Sequence, residues 1–288
     1  MDKTGTAFRA ALVTLTSGSV VERNICAASG LIREAAAQGA SYVQTPENTG
    51  LMEPDRDQLR ALAAPERDHQ VLRRLSELAA TLGIWLHIGS LAVARPDGQL
   101  ANRSYLVTPK GDIACRYDKI HMFDVDLPSG DSFRESERFV AGDQAVVASL
   151  PWGRLGMTIC YDLRFPGLYR ALAQSGAHIL AVPSAFTRQT GEAHWHVLLR
   201  ARAIETGSFV LAAAQAGRHD SGRTTYGHSI AISPWGEVLA EGGIDPGVII
   251  TDLDLASVAV ARQRIPALDG DRPFRLARAP ATDLREAS

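Results

Sequence analysis

Cysteine is scarce in this chain. Only Cys26, Cys115 and Cys160 occur, an odd set at wide spacings. That pattern excludes a disulfide framework and a cysteine-built zinc site, and it suggests a reducing, cytoplasmic setting. Net charge is also missing, since 30 Lys and Arg stand against 32 Asp and Glu. A surface so balanced argues against nucleic acid or an anionic membrane as the main partner and leaves small molecules. No stretch approaches the roughly 18 consecutive apolar residues of a membrane span. The first residues lack a charged segment followed by an apolar core and a cleavage site, so no signal peptide is expected. No linker rich in Ser, Gly or Pro and no shift in composition divides the chain. Its 288 residues, 45% of them hydrophobic, therefore read as one domain, with a core over about 7–275 and a tail over 276–288.

What is present is an alternation of strand and helix signals that gives way to hairpins. Strands are expected at Phe8–Leu15 and Tyr42–Thr45, and helices at Val20–Gln38 and Glu66–Leu82, the second with Leu72, Leu75, Leu78, Ala79 and Leu82 on one stripe. The β runs Ile84–Val93, Ser104–Thr108 and Ile113–Tyr117 follow, turning at Asp97-Gly98 and Lys110-Gly111-Asp112. Residues 120–142 read as a long polar loop of the functional kind. Beyond it come a β-compatible run over 153–159, a helix after Pro166, a buried strand at His178–Pro183, and a helix at Ala193–Thr206. The last expected strands are Phe209–Ala214, Tyr226–Ser233, Val238–Glu241 and Gly247–Leu253. No internal repeat is visible in the residues.

Three of these runs end on reactive side chains. Cys160 stands where an apolar strand meets a polar turn in Thr158-Ile159-Cys160-Tyr161-Asp162-Leu163-Arg164-Phe165-Pro166, a strand-to-helix elbow of the sort that exposes a nucleophile. A cysteine near its ordinary pKa is only about 3% thiolate at neutral pH, so this one needs a base or a cation beside it. Glu47 closes Tyr42-Val43-Gln44-Thr45-Pro46-Glu47-Asn48, and Lys119 closes Arg116-Tyr117-Asp118-Lys119-Ile120-His121. Glu47, Lys119 and Cys160 together make a plausible triad, with strand ends the usual place for such groups in an α/β sheet.

The segments Thr45-Pro46-Glu47-Asn48, Tyr117-Asp118-Lys119-Ile120-His121 and Ile159-Cys160-Tyr161-Asp162-Leu163-Arg164 resemble the three signatures of the nitrilase superfamily of carbon-nitrogen hydrolases. The resemblance runs on through Pro183-Ser184-Ala185-Phe186, the helix up to Glu205, Tyr226-Gly227-His228-Ser229 and Pro234-Trp235-Gly236. It implies an α/β fold, a four-layer α-β-β-α sandwich with two mixed β-sheets. It also implies a cofactor-independent amidase: Cys160 the nucleophile, Glu47 the general base, Lys119 and the Tyr161 backbone N–H the oxyanion donors, and a thioester intermediate formed with release of ammonia. A second glutamate in the loop after the lysine is implied as well, Glu135 matching best and Glu137 lying close enough to be confused with it. Tyr161-Asp162 after the cysteine resembles the amidase branch rather than the true nitrilases. Within that branch the chain looks most like the deaminated glutathione amidases, whose implied task is to cut a 2-oxo acid from cysteinylglycine, with the omega-amidases as siblings. No metal and no organic cofactor is implied. A small amide substrate and a homodimer or higher homo-oligomer, joined through the helices beside the elbow, are.

Other readings compete. Eight histidines leave room for a Cys-His hydrolase. His121, two residues past Lys119 on the same expected strand face, is a candidate to stand behind the site or touch substrate. Arg164 can pair within the fold or receive a substrate carboxylate, and Ser184, Ala185 and Phe186 are further candidates for substrate contact. His194 and His196 point opposite ways on a helix, so chelation by that pair is not expected, and His228 reads as a structural brace. Arg200 and Arg202 in an apolar helix suggest ion pairs with Glu192 and Glu205. Cys26 and Cys115 read as inert. Asn102-Arg103-Ser104 matches a glycosylation pattern without a secretory context. A non-catalytic binding module on the same fold has no use for three matched reactive groups.

Overall fold

The computed structural model describes residues 5–128 and 130–277. The first four residues, and residues 278–288 of the expected tail, lie outside them. Two mixed sheets stack face to face. The first has β17 (Gly247–Asp254), β1 (Ala7–Thr14), β2 (Tyr42–Gln44), β4 (Trp85–Ala94), β5 (Leu100–Val107) and β6 (Ile113–Asp118) in that spatial order, with the short β3 (Ala64–Pro65) also on β4. The second runs β16 (Val238–Glu241), β15 (Ile230–Ile232), β12 (Phe209–Ala212), β11 (Ile179–Ala181), β10 (Gly153–Met157) and β9 (Val146–Leu150). Two small ribbons, β7 (Asp124–Asp126) with β8 (Ser132–Arg134) and β13 (Ala216–Arg218) with β14 (Thr224–Tyr226), stand apart.

Strand alternation explains the layering. In β1, Ala11 and Val13 pack with Ile25, Ala28, Ile32 and Ala35 of α1 (Val21–Ala37) and with Val71, Leu75 and Ala79 of α3 (Gln70–Leu82). Ala10 and Leu12 point the other way and join Leu155, Met157, Leu180 and Leu211 of the second sheet. The outer face of that sheet is covered by Tyr169 and Leu172 of α4 (Pro166–Gln174) and Trp195, Leu199 and Ala203 of α5 (Arg188–Thr206). Each such apolar side chain taken fully from water contributes about 1.5–3 kcal/mol. The result is the four-layer α-β-β-α sandwich.

A symmetry hidden in the residues is plain in the topology. Read from β17, successive pairings in the first sheet are antiparallel, parallel, parallel, antiparallel, antiparallel. Read from β9, the second sheet repeats that series.

Several expected boundaries move. The expected helix over Glu66–Leu82 divides into a single 3-10 turn at Glu66–Asp68 and α3. Helix α5 begins at Arg188 rather than Ala193, because the Thr187 hydroxyl accepts the Thr190 N–H and caps it. The expected strand Tyr226–Ser233 is cut in two by left-handed backbone at Gly227 (φ 74°) and His228 (φ 57°). Strand β9 and two helices, α2 (Arg56–Leu62) and α6 (Ala256–Arg264), lie where none was expected.

Candidate active site

Glu47 sits in the turn that follows β2. Thr45 donates its N–H to the His87 carbonyl at 3.0 Å, and the Thr49 hydroxyl closes the turn on the Pro46 carbonyl at 2.7 Å. Gly89 on the neighbouring strand makes room, since a Cβ there would overlap the carbonyl oxygens of Thr45 and Pro46. Lys119 follows the last residue of β6, its N–H on Asn102 O at 3.0 Å and its carbonyl receiving the Gly142 N–H at 2.8 Å. Glu135 arrives from the loop, on a 3-10 turn after β8.

These three meet underground. Lys119 Nζ lies 2.8 Å from Glu47 Oε1 and 2.9 and 2.8 Å from the two Glu135 oxygens, and all three residues are at most 5% exposed. Asn102 Nδ2 ties the carboxylates together at 3.0 and 3.1 Å, and the Phe123 N–H donates to Glu135 Oε2 at 2.7 Å. Glu135, not Glu137, is therefore the glutamate that reaches the lysine. Asn102 was missed as a site residue; its only local signal was the glycosylation pattern, and at 1% exposure it is no glycan acceptor in this fold.

Cys160 completes the cluster from the second sheet. It opens a 3-10 turn, Cys160–Arg164, separated by two residues from the end of β10, with its N–H on Pro183 O at 3.0 Å and its backbone in the left-handed region at φ 51°. For a non-glycine residue that conformation is uncommon and is tolerated where the surroundings impose it. Asp162, wholly buried, braces the turn that contains it. Its carboxylate accepts the Ile159 N–H at 2.8 Å, the Tyr117 hydroxyl at 2.6 Å, and the His121 N–H and Nδ1 at 3.0 and 2.7 Å. One side chain thus fastens the cysteine elbow to the segment that carries Lys119. Asp162→Ala is expected to leave those donors unpaired and to cost about 3 kcal/mol or more in a denaturant titration; a change below about 1 kcal/mol would contradict the fastening role.

Electrostatics set the resting protonation. Burial alone would raise the Glu47 pKa, but the charge and hydrogen bond of Lys119 outweigh it and hold the carboxyl below its ordinary 4.5. Burial likewise works against the Lys119 ammonium, and Glu135 and Glu47 overcome it, so the lysine stays charged. Burial and the Glu47 charge push the Cys160 thiol well above its ordinary 9.0, with Lys119 opposing. At neutral pH the site holds a carboxylate, an ammonium and a neutral thiol. Stability from the Glu47 contacts is present above pH 4.5 and is lost as pH falls through the lowered value. In a protein whose other cysteines are replaced by serine, Cys160 alkylation by N-ethylmaleimide is expected to accelerate only above pH 9. A rate already flat at pH 7 would reveal a resting thiolate instead.

A cavity of about 1010 Å³ opens onto this cluster, lined by Glu47, Lys119, Glu135 and Cys160 and, further out, by Tyr161, Arg164, Ala185 and Phe186. Arg164 lies over the rings of Phe186 and Tyr161, 5.5 and 5.8 Å from their centroids, and 3.3 Å from His194 Nδ1. Two candidates for substrate contact fall away. His121 is drawn to Asp162 and stacked on Phe165 at 3.5 Å between centroids, off the cavity wall. Ser184 is wholly buried with its hydroxyl on Val182 O at 2.9 Å, and only its neighbours Ala185 and Phe186 face the cavity.

The remaining side chains singled out by sequence do structural work. Arg202 donates to Leu163 O at 3.0 and 2.7 Å and to Glu205 at 2.9 Å, whereas Arg200 is exposed and bonds Gly236 O, and Glu192 pairs with Arg188. Cys115 is half-buried beside Met157, and Cys26 is exposed on α1 rather than packed. Away from the cavity lining, His196 Nε2 and His228 Nδ1 share Glu241 Oε1 at 2.8 and 2.9 Å. Among the described residues this is the group with metal-ligand spacing, its ligand atoms all within 4.8 Å of one another. His194 takes no part in the group, as its spacing from His196 on the helix led one to expect, and helix spacing could not reveal His228, which arrives from the segment between β14 and β15.

Residues 9–263 match the carbon-nitrogen hydrolase family. The chain belongs to that family. Among curated relatives of this carbon-nitrogen hydrolase, it is 38% identical to the deaminated glutathione amidase of Yersinia enterocolitica, over 91% of this chain and 92% of the relative. It is 37% identical to a human omega-amidase, over 91% and 94%. Among solved structures, the C. elegans NitFhit protein superposes with a TM-score of 0.87 at 35% identity, over 93% of this chain and 66% of that longer one, about two thirds of its length. A Nesterenkonia amidase mutant bearing the acetamide moiety of fluoroacetamide on its active-site cysteine superposes at 0.77, with 28% identity over 92% and 94%. No helix among the described residues is long and apolar enough to cross a membrane.

Proposed function

We propose that this carbon-nitrogen hydrolase is an amidase of small, carboxylate-bearing amides, with Cys160 as nucleophile. Cys160 sulfur attacks the amide carbonyl carbon while Glu47 takes the thiol proton and passes it to the departing nitrogen, so the C–N bond breaks and a thioester forms. The leaving group is ammonia from a primary amide or an amine from a substituted one. Glu47 then deprotonates a water that attacks the thioester, releasing the acid and restoring the thiol. Lys119 Nζ and the Tyr161 N–H carry the negative oxygen of both tetrahedral intermediates. Glu135 fixes the lysine and helps aim the water. Because the resting thiol is neutral and Glu47 is a weak base, proton transfer accompanies attack rather than preceding it.

The observation that carries this reading is the buried Lys119 held at 2.8 Å by two carboxylates in the wall of the cavity that also contains Cys160. A scaffold gains nothing from such a cluster, whose desolvation is costly. Deaminated glutathione is the proposed substrate, supported by the relatives named above, with 2-oxoglutaramate the sibling choice. Comparing kcat/KM for deaminated glutathione, 2-oxoglutaramate and a simple nitrile tests it: deaminated glutathione is expected to lead, and a clear preference for the nitrile would overturn the choice. We further propose a cytoplasmic homo-oligomer joined through the α4–α5 side. Val197 and Ile204 of α5, with Trp235 beside them, are 69%, 51% and 51% exposed there, an apolar surface suited to a second copy.

A further inference from the structure

Arginines crowd the cavity, and they are not equally engaged. Arg134 and Arg188 are tied to carboxylates, Asp126 and Glu192, each at 2.8 Å. Arg138 and Arg223 line the same cavity, half-buried, and neither has an ion-pair partner among the described residues. Arg138 follows the 3-10 turn that delivers Glu135, and among the described residues its guanidinium makes one hydrogen bond, a long 3.4 Å contact to Glu53 O. Arg223 comes from the turn between β13 and β14. It donates to Ala185 O at 2.7 Å and lies over the Phe133 ring, 5.5 Å from the centroid, while its Nε is buried without a partner.

A half-buried guanidinium without a counter-charge is costly, and a second one on the same cavity wall adds to the cost. Burial disfavours the Arg138 charge and the Arg223 charge adds to that, while Glu135, Glu47 and Glu137 favour it without any of them forming an ion pair with it. Glu47 and Glu135 are already held by Lys119, and Glu53 accepts the Asp55 N–H at 2.8 Å. What would satisfy both cations is an anion entering with the substrate. Guanidinium groups match a carboxylate in shape as well as charge.

We propose that Arg138 and Arg223 form an anion subsite that binds the substrate's carboxylate remote from the reacting amide, selecting acid amides over neutral ones. This rests on the amidase reading above and deepens it. The most direct probe is a pair of amides of equal length, succinamate and butyramide. The wild type is expected to favour succinamate, and the ratio of the two kcat/KM values is expected to fall roughly 10- to 100-fold in Arg138→Gln and again in Arg223→Gln, the scale of a lost charge-assisted hydrogen bond. Arg223→Lys should recover part of it. A wild-type ratio near one, or equal losses on both amides, would overturn the subsite while leaving the amidase intact. If neither amide is cleaved, the amidase reading fails first, and calorimetry of succinate on the Cys160→Ala protein decides the subsite alone. Weaker succinate binding after either Arg→Gln change supports it; unchanged binding overturns it.

Discussion

Cys160→Ala is expected to abolish turnover of deaminated glutathione and of simple amides, by roughly 10⁵-fold or more, the scale seen when a covalent nucleophile is removed. Among the described residues lining the cavity, this sulfur is the nucleophile that stands with Glu47 and Lys119, on left-handed backbone next to the turn that Asp162 fastens. A methyl group in its place can neither attack nor receive the proton chain, yet it fills most of the same buried space, so the variant should still fold. Steady-state release of amine, followed beside a thermal melt, separates loss of chemistry from loss of structure. Residual activity within tenfold of wild type would remove Cys160 from the mechanism.

Lys119→Met should be the next most damaging change and should fail in two ways. Losing one oxyanion donor costs on the order of 10²- to 10³-fold in rate. The substitution also leaves Glu47 and Glu135 facing each other in a buried site without their shared cation, a loss of roughly 3–5 kcal/mol of stability. One or both would have to take up a proton, so Glu47 would cease to be a base at neutral pH. We expect kcat to fall at least 10³-fold and the protein to regain stability as pH is lowered toward 5, the reverse of the wild-type trend. A variant with wild-type kcat, or one indifferent to pH, would show that the ammonium is only a structural tether.

Glu47, Lys119 and Cys160 were legible in the sequence because each closes a β run at a polar break, and strand ends of two stacked sheets converge. Glu135 came from family likeness, and only the distances distinguish it from Glu137. Asn102, Arg138 and Arg223 were not legible for a common reason: each is a single polar residue whose importance depends on what another segment places beside it. His121 misled because the strand face argument assumed β6 continues past Asp118, whereas the chain turns there to meet Asp162. Among the elements, α3 was clear from the stripe of Leu72, Leu75, Leu78, Ala79 and Leu82, of which all but Leu82 are buried. Helix α2 was invisible, since Leu59 is its one buried residue, and α6 buries just Val258 and Ala261.

The proposed chemistry depends on a covalent acyl group passing through Cys160. The decisive measurement is intact-mass and peptide mapping of wild-type protein acid-quenched during turnover of a saturating amide. We expect a fraction of the protein to carry the substrate's acyl mass on the peptide containing Cys160, and to lose it on treatment with hydroxylamine. Amine release at full rate with no adduct, or with the adduct on another residue, would contradict it.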